Sequence, residues 1–550
     1  MQLPVSTKHP DLVRDAPRFL ISMKNRLVFW AITCALAGFI FGFDLIVISG
    51  AEQRIQSLWG LTGIQHGLAM SSALWGTVLG AIFGAIPTDR FGRKKTLLWI
   101  GILYFVSALG SGLAPDVTFF SISRFIGGLG IGISTVAAPL FISEISPADR
   151  RGRLTGMFQF NIVLGLLIAT LSNALIASMI DAGTAWRWML GIEALPALIY
   201  SLMCFSLPES PRWLIDRGER EEGKTILGQI NPSLSDNELE AKVVEIEQAS
   251  HRQTGSPKVF WNPLKLALIL AFLIAFFNQL SGINAILGFS PRILGMTGFD
   301  PGQSLFNASL ITLVNLIFTL VGLRLIDKLG RRTLLFVGSI GYIVSLTICA
   351  WAFSHYKAPF QVAEKAISLK GAIVEVTKTD LSEERRKNAE ETFENARVAL
   401  VESSNDQAYA GKGVDLPQGL TKKENIEIAE AALREASGKA GGGSVLVLVC
   451  ILGFIAAHAV GQGAVIWVFI SEIFPAVARA FGQSLGSAAH WVFAAILTFA
   501  FPLAMENFSA TAIFGFFAFM MILQLIWVCI MVPETKGISL EQMEEKLGKK

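Results

Sequence analysis

Asp89-Arg90-Phe91-Gly92-Arg93-Lys94-Lys95 lies between two long apolar runs, and the chain repeats it as Asp327-Lys328-Leu329-Gly330-Arg331-Arg332. Thr96-Leu97-Leu98 follows the first copy and Thr333-Leu334-Leu335 the second. A short loop of one acid, one glycine and several bases between membrane-length runs reads as a cytoplasmic turn, because basic residues are retained on that side. Gly92 and Gly330 permit the tight reversal that a Cβ resists. Asp89 and Asp327 are expected either to accept hydrogen bonds from helix N-termini or to pair with arginines. One copy alone would be only a topology signal; two copies argue for duplication.

The spacing tests the duplication. Asp89 and Asp327 are 238 positions apart (327 − 89), whereas Phe141-Ile142-Ser143-Glu144-Ile145-Ser146-Pro147 recurs as Phe469-Ile470-Ser471-Glu472-Ile473-Phe474-Pro475 at an offset of 328 (472 − 144). The excess of 90 (328 − 238) requires an insertion after the second basic loop, and a polar, charged segment runs from about Ser354 to Ser444. Two homologous halves in the same order, with one extra piece in the second, account for both offsets.

Of the 550 residues, 52% are hydrophobic and only 16% charged, and the mean hydropathy is +0.53. Soluble chains average about 25% charged residues, so this composition indicates a membrane protein. A bilayer core about 30 Å thick needs roughly 20 apolar residues per helix. Twelve runs qualify, at about 28–50, 66–88, 96–114, 118–142, 154–178, 187–206, 264–289, 303–325, 333–354, 445–470, 482–504 and 509–532. They are continuously apolar rather than alternating, which excludes a membrane β-barrel. Arg90 to Lys95, Arg150 to Arg153, Arg212 to Arg220 and Lys328 to Arg332 fall in alternate loops, so both termini are expected in the cytoplasm. The first 26 residues carry Pro4, Pro10 and Pro17 and no apolar core, so no cleavable signal peptide is expected.

Cys34, Cys204, Cys349, Cys450 and Cys529 all fall in the apolar runs, which argues against a disulfide framework. No Cys/His cluster has metal spacing and no phosphate-cradling glycine loop occurs, so neither metal, cofactor nor ATP-driven pumping is expected. Nothing marks a nucleic-acid partner, and no nucleophile–base pair marks an enzyme.

Phe41-Gly42-Phe43-Asp44-Leu45 places a carboxylate inside the first run. Such a charge costs about 2.5–3.5 kcal/mol on insertion scales, so it should face the protein interior. A fixed salt bridge is the plainer reading of Asp44; with Arg124 at the start of the fourth run as partner, the alternative is a proton site. Gly127, Gly128, Gly130 and Gly132 suit close helix approach better than a ligand role. Glu144 and Glu472 read as cytoplasmic latches to the basic loops, of the bistable kind that switching needs. Gln159 is a lone amide in an apolar run, as able to bridge helices as to bind a ligand. Gln279 and Asn284 are five apart, about 140° around a straight helix. Both reach one ligand only if the helix unwinds at Ser281-Gly282.

These motifs resemble the sugar porter family of the major facilitator superfamily. The resemblance rests on Asp89-Arg90-Phe91-Gly92-Arg93-Lys94, Arg124 with its glycines, Pro139 to Arg153, Pro208-Glu209-Ser210-Pro211-Arg212-Trp213-Leu214, Gln279 to Asn284 and Pro533-Glu534-Thr535-Lys536-Gly537. It covers about 28–354 and 445–540, and it implies an all-α major facilitator fold. Twelve transmembrane helices would form two six-helix bundles related by a parallel repeat around a central sugar site. The expected organisation is an N-terminal tail 1–27, a first bundle 28–206, cytoplasmic linker helices 207–263, and the second bundle as 264–354 and 444–532. An extracellular or periplasmic insertion 355–443 and a C-terminal tail 533–550 complete it. The resemblance implies proton coupling by Asp44 and Arg124, and sugar binding by Gln159, Asn278, Gln279, Asn284, Asn315, Trp467, His490 and Trp491. It extends the latch to Asp89, Arg93, Glu144, Arg151, Glu209 and Arg212 in the first half, and Asp327, Arg331, Glu472 and Arg479 in the second.

Three departures bear on the substrate. Asn278 stands where a second glutamine is usual, Gly288-Phe289 where a tyrosine pair is usual, and His490 where an amide is common. The missing tyrosine hydroxyls predict a looser outer gate. In the insertion, Ser382-Glu383-Glu384 opens a helical pattern to about Glu402, and Thr421 to Glu424 is a capping box for a second helix ending near Gly438. A small polar hairpin or cap is expected. The whole reads as a monomeric, multi-pass plasma or inner membrane symporter that imports a hexose or pentose with protons. A proton-independent facilitator, an inositol or polyol symporter, and a sugar-sensing transceptor are the alternatives.

Overall fold

The computed structural model describes residues 23–146, 151–232, 234–253, 261–377, 383–474, 478–538 and 542–543, and among them the regular structure is all helical. In an apolar layer, backbone groups must be satisfied internally, which a helix does within one segment. The first half comprises α1 (Met23–Val47), the short α2 (Glu52–Trp59), α3 (Gly63–Phe83), α4 (Ala85–Phe91), α5 (Arg93–Leu113), α6 (Val117–Ile145), α7 (Arg151–Met179), α8 (Ala185–Gly191) and α9 (Ala194–Cys204). The linker folds as α10 (Pro211–Asp216), α11 (Arg220–Ile230) and α12 (Asp236–Gln253) around a small core of Ile215, Leu227, Leu239 and Val243. The second half opens with α13 (Trp261–Leu280), α14 (Ile283–Gly288), α15 (Ser290–Gly295), α16 (Pro301–Leu329) and α17 (Arg331–His355). After the insertion, α18 (Lys357–Val376), α19 (Glu383–Ser404) and α20 (Lys422–Ala440), it closes with α21 (Gly443–Val460), α22 (Gln462–Glu472), α23 (Arg479–Asn507) and α24 (Ala510–Ile530).

Among the described residues, eleven segments are long and apolar enough to cross a membrane. The sixth place is taken by α8 and α9, which Ile192-Glu193 interrupts, so the order is that of twelve spans. Large apolar side chains such as Leu113, Met179, Leu202, Phe205 and Ile530 remain exposed on the outer faces of the spans, where only lipid can cover them.

Glycines set the closest helix contacts. A Cβ on Gly128 would stand 1.9 Å from the Ala73 carbonyl oxygen, and one on Gly132 would stand 2.3 Å from that of Thr77, so α6 meets α3 backbone to backbone. Gly42 against Ile162 and Gly165 against Phe39 do the same for α1 and α7. One apolar core, including Trp30, Ile40, Tyr104 and Phe141, lies mostly in the first half and takes in Trp491, Ala494 and Ala495 of α23; another joins both halves through Phe43, Ile46, Leu270, Phe289 and Phe501.

The insertion is larger than a hairpin. α18 continues from α17 and supplies Val362, Leu369 and Ile373 to a three-helix core with Leu400, Tyr409 and Ala432. Only the short polar stretch Ser354-His355-Tyr356-Lys357 separates it from the ninth span, and the helical pattern legible in the sequence of the insertion opens only at Ser382.

Gly128→Ala is expected to force α3 and α6 apart at a cost of roughly 1–3 kcal/mol. Gly130→Ala meets nothing nearer than the Leu103 side chain at 3.4 Å, ordinary van der Waals contact, and is expected to be tolerated. Thermal unfolding of the two variants in detergent micelles checks this: Tm should fall by several degrees for the first only.

Candidate functional site

At the face bearing the basic loops the two halves build the same cluster twice. Gly92 (φ 90°, ψ 166°) and Gly330 (φ 88°, ψ 164°) each end one helix and start the next. Arg93 then clasps Glu144 through Nε and a terminal nitrogen at 3.0 Å each, and Arg331 clasps Glu472 at 3.0 and 2.7 Å. The helix N-termini are capped by glutamates: Glu209 accepts from Arg93 N at 2.7 Å and Lys94 N at 3.1 Å. Glu534 accepts from Arg331 N at 2.9 Å and Arg332 N at 3.1 Å. A Cβ on either glycine would collide with its capping carboxylate, at 2.3 and 2.5 Å, which is why only glycine fits.

Asp89 and Asp327 do not cap; they are exposed and pair with Arg93 at 3.2 Å and Arg331 at 3.4 Å. Arg212 is exposed and forms no ion pair among the described residues, while its neighbour Trp213 donates from Nε1 to the Asp89 carbonyl at 2.8 Å. The side chains of Arg151 and Arg479 lie outside the described residues. In the sequence, Glu534 stands only as part of the Pro533 to Gly537 motif and receives no latch role, although Pro208-Glu209 and Pro533-Glu534 recur at an offset of 325 (534 − 209), close to the repeat of 328.

Midway along the first half, the buried Arg124 forms an ion pair with Asp44 Oδ1 and donates to the Asp44 carbonyl at 2.8 Å. Glu193, in the interruption between α8 and α9, faces the same pair and is itself 1% exposed. Asp44 Oδ2, Glu193 Oε1 and the Ser107 and Ser111 hydroxyls are buried with no hydrogen-bond partner. Arg124 thus pairs with Asp44, and Glu193 lies near enough to feel both charges without pairing to the guanidinium itself among the described residues. Glu193 was missed because it sits inside a run that is otherwise apolar enough to count as a plain span.

The seventh span breaks at Ser281-Gly282. Gly282 adopts φ 87°, Ser281 Oγ donates to the Asn278 carbonyl at 2.6 Å, and α14 starts again at Ile283. The break brings the two amides together: Asn284 Nδ2 donates to Gln279 Oε1 at 2.7 Å. Gln279 Nε2 donates to Asn278 Oδ1 at 3.1 Å and stands 3.1 Å from His490 Nε2. The His490 ring lies between Trp467 (centroids 5.1 Å) and Trp491 (4.8 Å). The half-buried Gln159 and the buried Asn315 form no hydrogen bond to this cluster. A cavity between the halves is lined by Arg124 on one side and Asn284 and Thr498 on the other, with Leu45, Met70 and Phe289 as apolar walls. Carboxamides, with a donor and an acceptor each, and flat indoles are the groups that hydroxylated rings require.

Towards the opposite face the cavity is closed. Phe289 is buried between Phe501 (centroids 5.0 Å) and His66 (6.1 Å), so the absence of a tyrosine pair does not loosen the gate in this conformation. Beyond it, Arg292 donates to both Glu52 oxygens, at 3.0 and 2.6 Å. Burial alone would push the Glu52 carboxyl up, but the Arg292 guanidinium and the adjacent His66 hold it below the ordinary carboxylate range. A lowered pKa keeps the ion pair intact as pH falls through that ordinary range, with loss only below it.

A family model described as "Sugar (and other) transporter" matches residues 30–373 and 428–547, leaving out the middle of the insertion. The chain is 30% identical over 517 residues to the putative metabolite transport protein YwtG of Bacillus subtilis, covering 94% of both chains. It is 29% identical over 525 residues to the arabinose-proton symporter of the same organism, again covering 94% of both. The inward-open structure of the xylose transporter XylE from E. coli superposes with a TM-score of 0.69 at 24% identity, over 94% of this chain and 99% of that one.

Gly282→Ala is expected to strain the break, because a Cβ would stand 2.6 Å from the Phe517 ring and a left-handed backbone costs a residue with a side chain about 1–2 kcal/mol. Separating Gln279 from Asn284 should raise KM for the transported substrate roughly tenfold or more while the protein still folds. Uptake kinetics on a variant whose unfolding curve matches the native one check this.

Proposed function

This chain belongs to the sugar porter family of the major facilitator superfamily, and we propose that it imports a monosaccharide together with protons by alternating access. The observation that carries the proposal is Arg124 facing both Asp44 and Glu193 at the edge of a cavity that also reaches Asn284. One guanidinium balances one carboxylate, and the second is left for a proton. The retention of bases on the inner side supports a cytoplasmic position for the face of the basic loops and an outer position for the insertion.

A proton arriving at Asp44 weakens its hold on Arg124, which frees α1 and α6 to change their packing. The sugar is held by Gln279, Asn284 and Asn278, with His490 and the two indoles beside them; Gln159 and Asn315 flank the path from the two halves. Closure outside and opening inside then release sugar and proton together. The conformation described fits that second stage: its outer entrance is bridged by Glu52 and Arg292, while every ion pair at the basic face joins elements of one half or its own tail and linker, among the described residues.

The test is pH recording in proteoliposomes as hexoses, pentoses and inositol are added in turn. The expected result is sugar-dependent proton uptake, with accumulation of up to about tenfold per unit of pH gradient for one proton per sugar. Asp44→Asn should abolish both accumulation and proton movement. Sugar entry without proton movement in the native protein would make it a facilitator, with Asp44 reduced to a structural ion pair.

A further inference from the structure

The outer entrance carries a charged pair whose fate on opening the transport cycle above does not assign. Glu52, at the start of α2, is wholly buried, and the residue that holds it, Arg292 on α15, belongs to the other half. Gln56 accepts a further hydrogen bond from Arg292 at 2.6 Å. Two other acids face Arg292: Glu364 from the insertion and Glu506 at the end of α23. Both move with the second half, so Arg292 keeps acidic neighbours however the halves rock. Glu52 does not. When the entrance opens it leaves Arg292 behind, and its carboxylate needs another donor on its own half in place of the lost fork.

His66 is placed to resolve this. It stands on α3, in the same half as Glu52, wholly buried, with Nε2 3.3 Å from Glu52 Oε2. Neither ring nitrogen forms an aligned hydrogen bond in this conformation. We propose that Glu52, Arg292 and His66 form the outer gate: Glu52 is clasped by Arg292 when the entrance is shut and is handed to His66 when it opens. This rests only on the halves rocking against each other, not on which sugar is carried or on proton coupling.

The insertion rides with the clasp. Ser444, at the return into the membrane, donates to the Thr297 carbonyl just beyond α15 at 2.6 Å, and Ala363 of α18 sits against Gly298. Arg54 of the first half also reaches Glu375 on α18, at 3.4 Å. That pair is part-exposed and shifts a population by no more than about fivefold, whereas a wholly buried carboxylate losing its partner shifts it by tens-fold or more. The buried clasp therefore dominates, and the insertion pair adds a small bias.

Spin labels at Gln53→Cys and Gln303→Cys, both exposed on opposite halves of this face, report the gate as a distance in the full-length protein in liposomes, with Cys529 replaced by serine. No sugar or pH gradient is present, so the outcome is independent of the symport experiment. Glu52→Gln, which removes the charge and keeps the shape, should raise the ratio of long to short distances at least tenfold. Arg54→Gln should change it by less than about fivefold. His66→Ala should do the opposite of Glu52→Gln and lower the long-distance fraction, because Glu52 then has nothing to receive it. Should Glu52→Gln fail to fold, Arg292→Lys keeps the charge, loses the fork and should still open the gate several-fold. An unchanged distribution in the foldable clasp variant, or a His66→Ala variant that opens the gate, overturns the proposal.

Discussion

A charge in an apolar layer must meet its partner inside the protein, and the arginine fork is how this chain meets that demand. Four arginines, Arg93, Arg124, Arg292 and Arg331, each bind a carboxylate through two or more nitrogens or a nitrogen pair shared with backbone. The planar guanidinium fits a carboxylate in two places at once, which fixes geometry as well as charge. Lysines, with one mobile ammonium, occur around these sites but hold none of them. The helices are where they are because these forks and the glycine contacts allow no other arrangement of neighbouring spans.

The distribution of forks separates rigid from movable contacts. Arg93 and Arg331 tie three consecutive structural levels within each half: the basic turn, the end of the fourth span of that half through Glu144 or Glu472, and the segment after the sixth through Glu209 or Glu534. Among the described residues nothing in those clusters crosses between halves. Across the interface the polar links are few among the described residues: Thr170 to Thr312 at 2.7 Å in the spans, and at the outer face the Arg292 clasp on Glu52 and Gln56 and the part-exposed Arg54–Glu375 pair. Backbone contacts such as Gly67 against the Phe499 carbonyl allow close approach without interlocking side chains. Two stiff bodies joined by a thin polar seam are what rocking requires.

How far the sequence could be read follows from the same physics. The spans were legible because lipid demands long apolar runs, and the duplication because the basic turn needs Gly92 and Gly330 at identical places in two loops. The break at Ser281-Gly282 could be anticipated from the angle between Gln279 and Asn284 alone. Charges at span ends were not legible: Glu52, Arg292 and Glu534 lie where polar residues are ordinary, and only the packing of the other half turns two of them into a buried pair. Glu193 was hidden by the opposite effect, one acid within a run whose average hydropathy hides it. α18 was hidden because its apolar face, which serves the insertion's own core, lies within a segment whose overall composition is polar and charged.

The exchange of a tyrosine pair for Gly288-Phe289 acquires its meaning from Arg292, four residues on from Gly288. Hydroxyl groups at a gate can trade hydrogen bonds with water as they part, so opening and closing differ little in free energy. Phe289 has no such exchange; it closes the cavity by apolar packing against Phe501 and His66, and the directional part of the closure moves outward to Glu52 and Arg292. A buried ion pair is a steeper restraint than a hydroxyl contact, since one partner leaving costs far more than the pair contributes. A gate so built needs a second donor for the carboxylate on the half that carries it, and among the described residues the imidazole of His66, with Nε2 3.3 Å from Glu52 Oε2, is the group on that half that can also carry a positive charge there.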